Sequence, residues 1–261
     1  MAQPFDPKAP ADLLVQAGRS GRQLTELPAE LRPGTLAQGY AIQEAHAQAL
    51  GETPKGWKLG VGSVSAMAAG NLERPLVGRL FAERFHPPGS TVQLPCAAPV
   101  TVEFEIAFVL SRDVAPGTAP ADAMRAVAST HVAFELVQSR FVDRRTVGWP
   151  SFVGDNVGFG AHILGERIDP AHISRVVKTV EEQVDGLAVG RGLTGDDAID
   201  PVQALRFLFE HATNHGITLK RDDVVTTGAV AKPFDVGPGS ADVTALYLGG
   251  KLTVRVTTPQ A

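Results

Sequence analysis

The sequence predicts a mixed α+β fold, and three observations support that prediction. The first fifty or so residues show helical periodicity. The part from Gly56 to Gly160 instead holds short runs rich in β-branched and aromatic residues, separated by glycine and proline clusters. Two hairpin signals, Asp185-Gly186 and Gly249-Gly250, follow in the C-terminal part. Because strands outnumber helices and the hairpins are antiparallel, we expect a largely antiparallel β-sandwich or roll with an N-terminal helical cap.

Two helices are expected in the cap. The first would bury a face containing Leu13, Leu14 and Ala17. The second would begin after Thr35 and end at Gly51, since threonine is a favoured N-cap and glycine a favoured C-cap. We therefore divide the chain into a helical cap at residues 1–55 and one catalytic domain at residues 56–261.

The catalytic domain is expected to contain the following further elements. A short helix is predicted from about Pro120 to Ser129, between two strands. A hairpin is predicted from Val176 to Val189, with its turn at Asp185-Gly186, and a helix from the N-cap Asp200 to Gly216. The last hairpin would turn at Gly249-Gly250.

Composition and charge exclude several functions. The chain has 261 residues, and its 24 basic and 28 acidic residues are scattered and give a net charge of −4, which disfavours a nucleic-acid partner. The single cysteine, Cys96, excludes an internal disulfide and a thiolate metal cage, so we expect a cytoplasmic protein. No apolar run is long enough to span a membrane. Any metal would be bound by carboxylates, histidines or backbone oxygens, which favours a hard cation.

The strongest candidate for such a site is a group of acidic residues in apolar strands. Glu103 and Glu105 share one face of the predicted strand VEFEIAFVL, about 6.6–6.8 Å apart along the chain. Glu135 lies among apolar neighbours in HVAFELVQSRF, where an unpaired carboxylate would be costly. Two simpler interpretations stay open: a solvated Glu-x-Glu pair, and a salt bridge of Glu135 with Arg140 or another arginine.

A lysine lies in the segment GWKLGVGS. Lys58 alternates with Trp57 and Leu59 and shares its face with Gly60, where a ligand could approach the backbone. Near a divalent cation such a lysine can serve as a general acid/base, although an isolated lysine between glycines is more often a surface residue.

Taken together, these motifs resemble a known enzyme family. GWKLGVGS, PLVGRL, VEFEIAFVL, AFELVQSRF, GDNVGFGAHILG and DDVVTTGAV occur in the order and spacing of the 2-oxo-4-pentenoate hydratase and 4-oxalocrotonate decarboxylase family. That family belongs to the fumarylacetoacetate hydrolase superfamily. The resemblance extends from about residue 35 to residue 256 and implies the fold of that superfamily.

The resemblance also implies a mechanism. Glu103, Glu105 and Glu135 would bind Mg²⁺ or Mn²⁺, and Lys58 would be the catalytic acid/base. Substrate-binding groups would include Leu59, Gly60, Asn156, Gly158 and Thr227. The substrate would be a small 2-oxo or 2-hydroxydienoate acid from the catabolism of aromatic compounds, and the metal would chelate its 1-carboxylate and 2-oxygen before water adds at carbon 4. A homo-oligomer without nucleic-acid or membrane partners is expected.

Two alternatives remain at this point. The same metal chelate would serve a decarboxylase that acts on a 2-oxo diacid. A partner subunit with little activity of its own is suggested by departures from the family pattern at Gln138, at Gly158-Phe159 and in the segment AVAKPFD. A carbon–carbon hydrolase is disfavoured, because no histidine/acid pair suited to activating water is evident in the sequence.

Overall fold

The computed structural model describes residues 5–260. The α-helices are α1 (Lys8–Ser20), α2 (Leu36–Leu50), α3 (Val64–Ala69), α4 (Gly148–Gly154), α5 (Ile173–Thr179) and α6 (Pro201–Asn214). The strands are β1 (Pro54–Gly60), β2 (Leu76–Phe81), β3 (Phe85–His86), β4 (Thr91–Gln93), β5 (Val100–Leu110), β6 (Val127–Val137), β7 (Phe159–Ile168), β8 (Glu181–Val184), β9 (Leu187–Arg191), β10 (Val224–Ala229), β11 (Phe234–Val236), β12 (Ser240–Tyr247) and β13 (Gly250–Thr257).

The larger sheet contains eight strands. Seven of them follow the order β2-β1-β10-β5-β6-β7-β3, and β11 pairs with β5 beyond the end of β10. The pairs β1–β10 and β3–β7 are parallel, and the other pairs of this sheet are antiparallel. The long strands β5 and β6 therefore lie at the centre of the sheet.

The smaller sheet has the order β4-β13-β12-β8-β9, with one parallel pair, β13–β4. It packs against one face of the larger sheet. Phe104 and Phe134 of the larger sheet belong to the same buried cluster as Val243 and Leu252 of the smaller sheet. The two sheets therefore form the predicted sandwich, and the prediction of a mixed, largely antiparallel fold with N-terminal helices is confirmed.

The opposite face of the larger sheet contacts the helices α2 and α4. The Gln43 side chain of α2 donates hydrogen bonds to the carbonyl oxygens of Val77 at 2.9 Å and Val153 at 3.0 Å. Thr35 accepts a hydrogen bond from the backbone N–H of Gln38 at 3.2 Å, and Gly51 ends α2 in the left-handed conformation, as predicted. These contacts place α2 over the face of the sheet that carries the candidate site.

Three local predictions are wrong. The segment from Pro120 to Ser129 contains only a 3₁₀ turn at Ala123–Ala126, because β6 begins at Val127 and pairs with β5. Residues 173–179 form α5, so the first hairpin strand begins only at Glu181. In the last hairpin Tyr247 pairs with Gly250, so the turn residues are Leu248 and Gly249.

None of the helices within residues 5–260 is both long and apolar enough to cross a membrane.

Candidate active site

The four residues predicted to carry the chemistry meet on one face of the larger sheet. Lys58 lies on β1, Glu103 and Glu105 lie on β5, and Glu135 lies on β6. Alternation places Glu103 and Glu105 on one face of β5, and the antiparallel register puts Glu135 directly opposite Glu103. We call this face, defined by Lys58, Glu103, Glu105 and Glu135, the acidic face.

The three glutamates of the acidic face form a possible metal-binding group. One carboxylate oxygen from each lies within 4.8 Å of the others. Glu105 and Glu135 are fully buried, whereas Glu103 is partly exposed. Glu105 accepts a hydrogen bond from the backbone N–H of Gly228 at 2.9 Å, but its Oε1 atom, like Oε2 of Glu135, has no hydrogen-bond partner in the described part of the chain.

Lys58 is buried beside these carboxylates, with 1% of its surface exposed. Its Nζ atom forms an ion pair with Oε1 of Glu135 and donates a hydrogen bond to the Val157 carbonyl oxygen at 3.1 Å. Arg140 pairs instead with Asp155. The interpretations of Lys58 as a surface residue and of Glu135 as the partner of Arg140 are therefore wrong.

The carbonyl group that contacts Lys58 belongs to a strained backbone segment. Asn156, Val157 and Gly158 have φ angles of 53°, 51° and 72°. A β-branched residue such as valine rarely adopts the left-handed region, and holding it there costs about 1–3 kcal/mol. The segment turns the Val157 carbonyl towards the acidic face and so fixes the position of the lysine.

The acidic face carries more negative charge than its lysine can balance. Burial raises the pKa of Glu105 well above its ordinary value of 4.5, and the charges of Glu135 and Glu103 raise it further. Burial also raises the pKa of Glu135, although the adjacent Lys58 ammonium opposes the shift. Unpaired carboxylate oxygens that face one another are suitable ligands for a hard divalent cation, which would compensate this charge.

The residues predicted to bind substrate lie around the acidic face, and most of their side chains contact the protein itself. The Leu59 side chain points to the opposite face and packs in the core between the sheets. Gly60 lies so close to Val157 that an added Cβ would be 3.0 Å from its side chain. Asn156 exchanges two hydrogen bonds with the backbone of Arg79, and the Thr227 hydroxyl donates to the Ile106 carbonyl oxygen at 2.9 Å. At Gly158 a Cβ would collide with Val137.

Gln138 has a structural contact of its own. Its side chain accepts a hydrogen bond from the backbone N–H of Cys96 and donates one to the Cys96 carbonyl oxygen, both at 3.0 Å. It also lines a cavity with His46, Arg84 and Arg140, beneath α1 and α2. This departure from the family pattern therefore fixes the loop around Cys96, whose thiol is buried as expected.

Sequence reasoning missed two buried polar residues near the acidic face. His162 lies directly opposite Glu135 on β7, and burial together with the nearby Lys58 charge lowers its pKa to about 3. Glu182 on β8 is fully buried; burial and the charge of Glu103 raise its pKa to about 8. His162 interrupts the apolar segment GFGAHILG. Glu182 lies at the alternate position between Val180 and Val184, where an apolar residue is expected; these are the signals that could have identified them.

The comparison with protein families identifies the chain. Residues 40–257 match the fumarylacetoacetate hydrolase C-terminal family, which is most of the chain. The chain belongs to the fumarylacetoacetate hydrolase family. This confirms the resemblance that the sequence motifs indicated.

Relatives of this family member include named hydratases and a named decarboxylase. The chain is 30% identical over 247 residues to the TodF product hydratase of Pseudomonas putida, covering 92% of this chain and 91% of the relative. It is 29% identical over 251 residues to a 2-keto-4-pentenoate hydratase of Burkholderia vietnamiensis, covering 94% of both chains. A 4-oxalocrotonate decarboxylase from a Pseudomonas species is 25% identical over 236 residues, covering 88% of this chain and 90% of the relative.

Solved structures agree with the fold of the fumarylacetoacetate hydrolase family. The 4-oxalocrotonate decarboxylase of Pseudomonas putida G7, complexed with magnesium and adipate, superposes with a TM-score of 0.85 and 20% identity, covering 98% of this chain and 99% of that chain. The fumarylpyruvate hydrolase of Pseudomonas aeruginosa, in complex with Mn²⁺ and pyruvate, has a TM-score of 0.54 and 16% identity, covering 79% and 90%.

Proposed function

We propose that the protein is a metal-dependent hydro-lyase acting on a small 2-hydroxy-2,4-dienoate. Water would add at carbon 4 of the 2-oxo tautomer and give a 4-hydroxy-2-oxo acid. The observation that carries this proposal is the convergence of three carboxylates, two of them with buried unpaired oxygens, beside a buried lysine. The relatives named as hydratases support it.

The proposed metal ligands are Glu103, Glu105 and Glu135. Their oxygen donors suit a divalent metal, and the magnesium and Mn²⁺ complexes of the structural neighbours support Mg²⁺ or Mn²⁺. When bound, the cation would chelate the substrate's 1-carboxylate and 2-oxygen and stabilise negative charge that develops on the enolate.

Lys58 is the proposed acid/base. An ammonium group has three N–H donors, and Glu135 and the Val157 carbonyl occupy two of them. The third can donate to a substrate on the acidic face. Because the two protein contacts fix Nζ, Lys58 would exchange a proton with a substrate carbon or oxygen at one defined place.

The remaining proposed contacts involve mainly the backbone. Gly60 and Gly158 pack closely against Val157 and Val137, so they would act, like Leu59, through their backbone groups. Asn156 and Thr227 would act by fixing the segments that frame the site, since their side chains already bind backbone groups.

Metal binding and turnover by matched variants test this function. The purified protein should bind one Mn²⁺ by isothermal titration calorimetry and hydrate 2-hydroxypenta-2,4-dienoate, with inhibition by EDTA. Glu135→Gln should abolish both properties, whereas Glu73→Gln, which neutralises an exposed glutamate, should change neither. Full activity in EDTA, or full activity of Glu135→Gln, would contradict the proposal.

The second candidate is a decarboxylase of a 2-oxo diacid, supported by the named decarboxylase relative. The two activities differ in their products, so release of CO₂ from 4-oxalocrotonate can be compared with hydration of the dienoate. A low-activity partner subunit would bind the metal but turn over neither substrate alone.

We also propose that the enzyme works in the cytoplasm as a homo-oligomer, with residues 1–55 acting as a cap on the catalytic domain. Exposed apolar side chains at one edge of the smaller sheet, such as Leu187 with 73% of its surface exposed, support an assembly. Sedimentation of the purified protein tests this part of the proposal.

A further inference from the structure

A buried histidine beside the acidic face lacks hydrogen-bond partners among the described residues. His162 on β7 is fully buried, and neither of its ring nitrogens has a partner within residues 5–260. A neutral imidazole carries one N–H donor and one acceptor nitrogen, and leaving either unpaired in the interior is costly. Most buried polar groups in native proteins are paired, so His162 is unusual.

His131 on the neighbouring strand β6 is a histidine of the same sheet whose hydrogen bonds are complete. Its Nδ1 atom lies 3.0 Å from the Gly165 carbonyl oxygen, and its Nε2 atom lies 2.9 Å from the Ser129 hydroxyl oxygen. Since a carbonyl oxygen only accepts, Nδ1 donates to Gly165 and Nε2 accepts from Ser129. The two histidines carry the same ring, so the difference between them lies in their surroundings.

The surroundings of His162 are apolar on one side. Its ring packs against the ring of Phe85, with 4.5 Å between the two centres. Phe85 belongs to an apolar cluster with Phe159 and Leu164. The side chains of this cluster offer no hydrogen-bonding group, so a partner for His162 has to come from elsewhere.

Glu135 is the residue directly opposite His162 in the pairing of β6 with β7. Residues that face each other in antiparallel strands have Cβ atoms about 4.5–5.5 Å apart. Oε1 of Glu135 pairs with Lys58, but its Oε2 atom has no partner in the described part of the chain. Two other unpaired oxygens, Oε1 of Glu105 and the Thr226 hydroxyl, lie on β5 and β10, which are further from β7 in the sheet. An unpaired imidazole and an unpaired carboxylate oxygen therefore occupy one register position on adjacent strands.

His162 does not itself belong to the possible metal ligands. The group whose ligand atoms lie within 4.8 Å of one another consists of the three glutamates, and no other histidine, cysteine or acidic residue of the described chain joins it. A contact with one of these ligands is still open to His162. Carboxylates that bind metals are commonly held in place by hydrogen bonds from neighbouring residues, which orient them towards the ion.

We propose that His162 is a positioning residue, which donates an N–H hydrogen bond to Oε2 of Glu135 when this carboxylate binds the cation. A carboxylate oxygen has two lone pairs, so Oε2 can bind the cation and accept this hydrogen bond together. The two groups are not hydrogen-bonded in this structure, so the contact requires a change of rotamer in one of the side chains. As a neutral donor, His162 would orient the carboxylate without adding a positive charge that repels the cation. This inference rests on the proposed function, because Glu135 has to be a metal ligand.

Mn²⁺ binding and metal-free stability, measured on the same variants of the full-length protein, test this inference. His162→Leu removes both ring nitrogens, and its Kd for Mn²⁺, measured by isothermal titration calorimetry, should rise about 10–100-fold. Without metal the same variant should resist urea at least as well as the wild type, because it no longer buries two unpaired nitrogens. His162→Gln retains an N–H donor and should keep part of the affinity.

His131→Leu is the matched control. It loses two hydrogen bonds that are present in the structure, so it should unfold at a lower urea concentration and bind Mn²⁺ as the wild type does. A purely structural role for His162 predicts the same pattern for His162→Leu, namely lower metal-free stability with an unchanged Kd. That result would overturn the inference, as would equal weakening of Mn²⁺ binding by the two leucine variants.

NMR of the wild type labelled with ¹⁵N-histidine gives an independent readout, which also decides if His162→Leu does not fold. On addition of Mg²⁺, the ring N–H signal of His162, assigned by its absence from His162→Gln, should move downfield as the hydrogen bond to the carboxylate forms. The His131 signal should stay in place. An unshifted His162 signal would contradict the proposed contact, whereas failure of the wild type to bind Mn²⁺ would contradict the proposed function itself.

Discussion

Two ion pairs are buried in the larger sheet and its adjoining loops, and they differ in how completely their hydrogen-bonding groups are used. In the first, Asp155 accepts hydrogen bonds from the Ser139 hydroxyl at 2.6 Å and from the Arg140 backbone N–H at 3.1 Å, in addition to its ion pair with the Arg140 guanidinium. That guanidinium also donates to the Phe159 carbonyl oxygen at 2.7 Å. Each partner is held by several neighbours.

The pair of Lys58 and Glu135 lies in different surroundings. Its single ammonium group faces three glutamates, and Oε1 of Glu105 and Oε2 of Glu135 have no partner within residues 5–260. A saturated pair such as Arg140–Asp155 stabilises the fold around it. An unsaturated group leaves donors and acceptors for a ligand, and this difference separates the structural pair from the candidate catalytic one.

Replacing Lys58 should have the largest effect on activity. Lys58→Met should lower kcat by about 10²–10⁴-fold, because a positioned acid/base contributes that much. Lys55→Met, a change to a more exposed lysine of the same strand, should leave kcat within about twofold. Steady-state rates at saturating Mg²⁺ give the comparison, and an active Lys58→Met would remove Lys58 from the mechanism.

Replacing Arg140 should mainly affect stability. Arg140→Met leaves the buried Asp155 carboxylate without its cation, so the free energy of unfolding should fall by about 3–5 kcal/mol. The control is Arg79→Met, which breaks a more exposed pair with Glu44 and should cost about 1 kcal/mol or less. Urea unfolding measures the free energy of unfolding of both variants. If Arg140→Met lost as little as the control, the buried pair would contribute no more to stability than the exposed pair.

Metal should stabilise the protein only through the acidic face. At a free Mg²⁺ concentration of 100 times Kd, the free energy of unfolding should rise by about 2.7 kcal/mol. The increase should disappear in Glu135→Gln and persist in Glu73→Gln. Thermal unfolding with Mg²⁺ or EDTA detects it, and an unchanged increase in Glu135→Gln would place the cation elsewhere.

The last expected effect, which is smallest per single step of one pH unit, concerns Glu182 and the pH. Burial and the charge of Glu103 raise its pKa from 4.5 to about 8, so the folded state binds a proton that the unfolded state has released. This contribution to stability is present at low pH and is lost as the pH rises towards 8. Between these two pKa values, the free energy of unfolding of the wild type should therefore fall, relative to that of Glu182→Gln, by at most about 1.4 kcal/mol per pH unit.

Urea unfolding of both proteins between pH 5 and pH 8 measures this slope, with Glu181→Gln on the neighbouring, less buried position as the control. Saturating Mg²⁺ should reduce the slope, because it compensates the charge of Glu103. A slope equal to that of the control would show that Glu182 titrates like an exposed glutamate.

Local chemistry explains which parts of the fold could be predicted from the sequence. The cap at Thr35, the end at Gly51 and the helix beginning after Asp200 depend on adjacent residues, and all three agree with the structure. The helix expected from Pro120 fails because strand pairing of Val127 with Leu110 competes with it. That pairing joins residues 17 positions apart, which is beyond the range of local helix propensity.

The candidate site divides in the same way. Alternation on a strand is enough to place Glu103 and Glu105 on one face. The contact between Lys58 and Glu135 joins residues 77 positions apart, and it depends on the order of the strands. The left-handed backbone at Val157 opposes the preference of valine, so only the packed structure around it can impose that conformation.

The ion pair between Lys58 and Glu135 ties both parts of the proposed chemistry to one residue. Oε1 of Glu135 contacts the Lys58 ammonium group, while its Oε2 atom has no partner within residues 5–260. Under the proposed function, Glu135 would hold the ion with one oxygen and position the acid/base with the other. The distance between the ion and the lysine would then be set by a single carboxylate.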